Sequence, residues 1–136
     1  MKVSVRNLSL VFVAGAVGGL VNSVFVWLFG AVGVAGALGV KIAPAFTGPW
    51  LYQRLVWGGI WGGLFLLPLG GLSLPARGLI YSLGPSLVQL LVVFPYQAHK
   101  GVLGLQLGLL TPMFVLFYNA AWGLGAAWWL RLAEKK

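Results

Sequence analysis

Leu8-Ser-Leu-Val-Phe-Val-Ala-Gly-Ala-Val-Gly-Gly-Leu-Val-Asn-Ser-Val-Phe-Val-Trp-Leu-Phe29 is a run of 22 residues without a single charge. A helix needs about 20 apolar residues to cross the hydrocarbon of a bilayer. The run is continuous and does not alternate, so it reads as a helix and not as a barrel strand. Three further stretches have the same character: residues 49–69, interrupted only by Arg54, residues 78–96 and residues 112–130. Composition supports lipid as the outer solvent. Hydrophobic residues make up 60% of the chain and charged residues 7%, whereas a soluble domain carries about a quarter charged residues to cover its surface. The expected fold is therefore an all-α membrane protein of four transmembrane helices, a single transmembrane domain over residues 1–136.

The connections are punctuated by turn formers. Pro68-Leu-Gly-Gly-Leu-Ser-Leu-Pro75 predicts a tight turn between the second and third spans. Thr47-Gly-Pro49 and Thr111-Pro112 read as helix starts, with Thr as cap and Pro in the first turn. Pro85 predicts a kink inside the third span. Lys2 and Arg6 followed by an apolar run, with Ala14-Gly15-Ala16 after it, resemble a secretory signal, but the run continues uncharged to Val40, so an uncleaved first span is expected.

Orientation follows from Lys and Arg counts in short loops. With the N-terminus inside, Lys2, Arg6, Arg77, Arg131, Lys135 and Lys136 are cytoplasmic, against Lys41, Lys100 and the nearby Arg54 on the other side. Both termini are expected on the cytoplasmic face. The net charge of +8 is scattered in ones and twos between apolar runs. That pattern suits membrane lipids and excludes a nucleic-acid-binding stripe. Trp27, Trp50, Trp128 and Trp129 fall at span ends as interfacial anchors, while Trp57, Trp61 and Trp122 are expected to pack between helices.

The chain also repeats itself. Gly36-Ala-Leu-Gly-Val-Lys41 aligns with Gly101-Val-Leu-Gly-Leu-Gln106 at an offset of 65, and the same offset matches Leu51 to Leu116 and Trp57-Gly58 to Trp122-Gly123. Near an offset of 67, Leu20-Val-Asn22 matches Leu87-Val-Gln89. The reading is two tandem, similar helical hairpins, residues 8–70 and 76–131. Each has two spans, so both insert the same way up as a parallel repeat. Polar residues then occur in corresponding places: Asn22 with Gln89, Arg54 with Asn119, and Lys41 with Gln106.

These positions are the candidate sites. Asn22, Arg54, Gln89 and Asn119 either line a polar pathway or supply hydrogen bonds between helices. Arg54 is an anion or headgroup contact, or it snorkels to the interface. Lys41, His99 and Lys100 lie in the outer-face loops, where His99 stands without a second metal ligand. Glu134 is the only acid, His99 the only histidine, and there is no cysteine. Acid–base catalysis and metal binding need several such groups at one site, so no enzymatic activity, metal or cofactor is expected. Small residues at four-residue spacing, Gly15 and Gly19, Gly58 and Gly62, Gly59 and Gly63, Ala121 and Gly125, suit close helix packing.

Gln89-Leu-Leu-Val-Val-Phe94-Pro95, a Gly-rich loop, Thr111-Pro112 and a Trp-rich last span together resemble the C-terminal half of small YagU-like bacterial inner-membrane proteins. The resemblance covers about half the chain and implies a bacterial inner membrane. The scarcity of polar residues within the spans makes the expected function that of a non-enzymatic accessory or structural subunit, in a homo-oligomer or a larger membrane complex; the alternative is a small channel or transporter for an anion or small solute. A cavity shared by the four polar residues favours the alternative.

Overall fold

The computed structural model describes residues 2–134; Lys135 and Lys136, counted above as cytoplasmic cations, lie outside the described residues. Ser4 opens α1 (Val5–Ala31), its Oγ accepting from the Asn7 backbone N–H at 3.1 Å. This cap satisfies one of the donors a helix start leaves unpaired. The helix runs 27 residues, about 40 Å. α2 (Val34–Ala37) is a single turn. Thr47 caps α3 (Gly48–Trp61), accepting from the Trp50 N–H at 3.3 Å with Pro in the first turn, as expected. From Trp61 the backbone tightens into a 3-10 helix, Gly62–Leu66. Ser73 caps α4 (Leu74–Tyr81), and α5 (Leu83–Val88) runs into a π-helix, Gln89–Gln97. A second 3-10 segment, Val102–Leu107, precedes α6 (Thr111–Glu134). No strand occurs among the described residues.

Three helical stretches are long and apolar enough to cross a membrane: Val5–Ala31, Leu74–Gln97 and Thr111–Glu134. The remaining expected span, residues 49–69, takes a shorter form. Gly58, Gly59, Gly62 and Gly63 crowd its C-terminal half, and each costs about 1 kcal/mol of helix propensity against Ala. The α-helix therefore ends after 14 residues. Near Pro85, where a kink is expected, the α-helix is interrupted at Ser82, the residue between α4 and α5, with its backbone still helical. Proline clashes with the carbonyl four residues before it, so the break lies ahead of the ring. Thr111 does not cap α6: its hydroxyl is buried and has no hydrogen-bond partner among the described residues.

α1 is the central element. It packs against α3 on one side and α6 on the other, and α6 carries α4. Glycines set these approaches. A methyl added at Gly15 would meet the Gly58 carbonyl oxygen, and one at Gly58 would lie 2.7 Å from the Gly15 oxygen and 3.1 Å from the Gly19 Cα. The expected pairs Gly15/Gly19 and Gly58/Gly62 thus face each other across α1 and α3. Gly59 lies under the Phe12 ring and Gly63 has open space around it. Gly78 of α4 meets Gly123 of α6 backbone to backbone. Trp122, buried between helices as expected, donates its indole N–H to the oxygens of Gly15 at 3.1 Å and Gly58 at 3.3 Å. Trp57 departs from expectation: it is 61% exposed.

One apolar cluster gathers Val11, Phe65, Tyr81, Trp122 and Leu130, and another gathers Val26, Val40, Phe114 and Tyr118. Arg77 closes the turn at the first cluster. Its Nη2 donates to the Phe65 and Leu67 oxygens at 2.9 and 3.2 Å, and the Tyr81 hydroxyl donates to Leu67 at 2.6 Å. At the opposite end the two loops are joined by the Lys41 N–H donating to the Leu107 oxygen at 2.8 Å. Around this bundle Phe12, Leu20, Val24, Leu116, Phe117 and Leu124 all stay at least 40% exposed, an apolar perimeter far larger than a water-soluble monomer shows.

The glycine contacts predict a sharp contrast. Gly58→Ala forces α1 and α3 apart and lowers stability by about 1–3 kcal/mol, whereas Gly63→Ala changes it by less than about 0.5 kcal/mol. Equilibrium unfolding in detergent micelles, followed by tryptophan fluorescence, measures both.

Candidate functional site: a polar layer around Arg54

Between the two apolar clusters lies a layer of polar side chains drawn from four helical segments. Asn22 and Ser23 come from α1, Arg54 from α3, Ser86 and Gln89 from α5 and the start of the π-helix, and Asn119 from α6. All four polar candidates named from the sequence therefore meet. Arg54 is partly buried. Its Nε donates to the Ser23 hydroxyl at 2.9 Å and its Nη2 to Asn22 Oδ1. Its guanidinium carbon sits 4.8 Å from the centre of the Trp50 ring, a cation–π contact.

The guanidinium imposes a direction on the hydrogen bonds around it. Arginine only donates, so Asn22 must turn its oxygen toward Arg54 and its NH2 away. That NH2 donates to the Tyr118 carbonyl at 2.7 Å and, at 3.4 Å, to Asn119 Oδ1. Asn119 is then set the same way, its NH2 donating to the Ser86 hydroxyl at 3.1 Å and to Gln89 Oε1 at 3.4 Å. Gln89 accepts with its oxygen, so its NH2 end is the one left over. The two serines send their own protons back along their helices, Ser23 to the Gly19 oxygen at 2.6 Å and Ser86 to the Ser82 oxygen at 2.8 Å. Each hydroxyl is thereby an acceptor toward the layer.

Two cavities share this layer. The first, of about 390 Å³, is lined by Asn22, Arg54 and Gln89, by Trp50 and Tyr118, and by Lys41 and its loop neighbours Ile42 to Pro44. The second, of about 350 Å³, is a cleft lined by Asn22, Arg54, Gln89 and Asn119, with Gln53 and Trp57 on one wall and Pro85, Val88 and Val93 on the other. Both sizes are typical of ligand sites. The cleft exists because α3 makes no packing with α5 or the π-helix comparable to that of α1 with α6.

Of the loop candidates, Lys41 lines the first cavity, while His99 and Lys100 lie exposed beyond the π-helix and line neither. Among the described residues no three His, Asp or Glu side chains gather as a metal site would need. Sequence reasoning missed Ser23, Ser86, Trp50 and the buried Tyr118, whose hydroxyl has no hydrogen-bond partner among the described residues. Helical spacing held a signal for two of them. Trp50 precedes Arg54 by four residues and Ser86 precedes Gln89 by three, the separations that bring side chains together on one face.

A double-mutant cycle between Asn22→Ala and Arg54→Met is expected to give a coupling above about 0.5 kcal/mol in micellar unfolding. Strict additivity would mean that the two side chains do not interact.

Comparisons with protein-family models, with curated proteins and with solved structures find no match. The site's own donors, acceptors and cavities therefore carry its functional reading.

Proposed function

We propose that the chain is a non-enzymatic protein of the bacterial inner membrane that holds and passes an anion at Arg54, as a small channel or transporter. The observation that carries this reading is the charge balance of the layer. Only two of the five guanidinium N–H donors have protein acceptors among the described residues. The only acid of the chain is Glu134, at the far end of α6. Gln89 adds its leftover NH2. A cation with free donors, beside a cleft that all four polar residues line, is chemically suited to an anion. The competing expectation, an accessory subunit in which these residues only join helices, draws support from the Asn22–Tyr118 and Asn119–Ser86 bonds, which leave the free guanidinium donors unexplained.

The same reading takes Gly48–Leu66 as a fourth span, with both termini cytoplasmic. Fourteen α-helical and five 3-10 residues together reach about 31 Å, close to the hydrocarbon thickness. Gly58 and Gly62 also lie backbone to backbone with Gly15 in the middle of α1, so the two helices share a depth. The parallel duplication draws support from one pair of bonds: Arg54 donates to Asn22 as its counterpart Asn119 donates to Gln89. The apolar perimeter suits lipids, and a homo-oligomer or larger membrane complex fits so small a bundle.

Two measurements test the sidedness and the activity. The chain has no cysteine, so single cysteines report sidedness directly: positions 3 and 71 are expected to label from one face of oriented vesicles and positions 39 and 101 from the other. Labelling of 3 and 71 from opposite faces rules out four spans. In liposomes, anion flux through the wild type is expected to fall about tenfold or more in Arg54→Ala, given the strength of hydrogen bonds to charged groups. No flux in the wild type returns the chain to the accessory-subunit reading.

A further inference from the structure

We infer that the anion is the head of an amphiphile which enters sideways from the bilayer, its acidic group on the Arg54 layer and its apolar tail in the cleft between α3 and α5 with the π-helix. This rests on the anion reading above and names the class of ligand.

The shape of the cleft comes first. α1 and α6 form its floor, contributing Gly19, Asn22, Asn119 and Trp122, and α3 and α5 with the π-helix stand as separate walls. The opening therefore faces away from the α1–α6 centre, toward the exposed apolar perimeter. In a chain spanning the bilayer, that side is hydrocarbon. A hydrated ion does not arrive from hydrocarbon, whereas a molecule with a tail does. The walls suit a tail, because Trp57 and Val88 remain 61% and 38% exposed at the cleft and Pro85 and Val93 continue it. The inner end suits an acidic head, because there the apolar walls give way to Arg54, Asn22 and Gln89. Beyond them the first cavity holds Lys41 and the buried Tyr118, which is 4% exposed with a hydroxyl unpartnered among the described residues.

Charge identifies the kind of occupant. A second copy of the chain would bring another formal charge of +8 and a single acid in its C-terminal segment, so it offers no counter-charge to Arg54. An anionic lipid offers one. Gln53, exposed at the mouth beside Arg54, adds a polar edge where a head would pass.

The test uses the purified full chain in a neutral detergent, with thermal unfolding followed by tryptophan fluorescence. Dioleoylphosphatidylglycerol, dioleoylphosphatidylcholine and inorganic phosphate are titrated separately. Phosphatidylglycerol is expected to raise the midpoint and phosphatidylcholine to leave it unchanged. Half-saturation by phosphatidylglycerol should weaken roughly tenfold or more in Arg54→Gln. Val88→Trp, which fills the cleft from a half-exposed position, should lose the lipid response while keeping any response to phosphate. Should Arg54→Gln fail to fold, Arg54→Lys retains the charge and should keep a weakened lipid response. An equal lipid response in wild type and Arg54→Gln overturns the proposal, as does a lipid response that survives in Val88→Trp. Stabilisation by phosphate alone overturns the lipid assignment and leaves the anion reading standing. No response to either anion, joined to absent flux, removes both.

Discussion

One guanidinium in an apolar bundle orders everything polar around it. Because Arg54 donates and never accepts, it fixes the orientation of Asn22, and through it those of Asn119 and Gln89. Magnitudes explain how it is tolerated without an acid. Arginine at the centre of a membrane helix costs about 2.5–3.5 kcal/mol on insertion scales. Two hydrogen bonds to a charged group return about 1.5–3 kcal/mol each, and the Trp50 face adds about 0.5–1 kcal/mol or more. The protein's own partners are thus enough to hold the charge in place. The remaining guanidinium donors are therefore not needed to hold Arg54 in the fold.

That arrangement depends in turn on backbones lying unusually close. In lipid there is no hydrophobic drive pulling one apolar helix toward another, so association rests on packing and hydrogen bonds. Gly15, Gly19, Gly58 and Gly62 let α1 and α3 touch main chain to main chain. At that separation the Arg54 side chain reaches Asn22 and Ser23 on the neighbouring helix. Trp122 secures the third element by bonding to a carbonyl on each of the other two. The polar layer and the glycine contacts are consecutive turns of the same interface: Gly19 packs on the Arg54 backbone, and Asn22 and Ser23 bind its side chain.

Much of this was legible in the amino-acid sequence, for reasons that differ by residue. Asn22, Arg54, Gln89 and Asn119 stand out because polar groups are rare within apolar runs, and all four meet. Ser23 and Ser86 do not stand out, since serine is common in membrane helices and returns its proton to its own backbone. Trp50 reads equally as an interfacial anchor, and only its four-residue spacing to Arg54 marks it as the face under the guanidinium. Thr47 and Thr111 look alike in sequence, yet one caps a helix in the open and the other is buried by tertiary packing. The shortening of α3 after Trp61 follows from four glycines whose summed cost competes with a strongly apolar run, and composition alone does not decide that balance. The cleft was illegible altogether, because it arises from two helices that meet where Trp61 packs on Gly84 but fail to pack along their length as α1 and α6 do.

That failure bears on the duplication. If the two hairpins descend from one, the packing of α1 on α6 has a counterpart, α3 on α5 with the π-helix, and this counterpart is the one left open. The corresponding polar positions differ in the same sense. Asn119 is neutral, buried and fully engaged with Ser86 and Gln89, whereas Arg54 is charged and engages Ser23 and Asn22 with donors to spare. A neutral amide saturated by its neighbours allows the helices around it to close. A cation with unsatisfied donors holds a gap in which something else can complete its coordination. Under such a duplication the Arg54–Asn22 and Asn119–Gln89 bonds correspond, and the change of one side chain from amide to guanidinium accompanies the change from a closed helix contact to an open one.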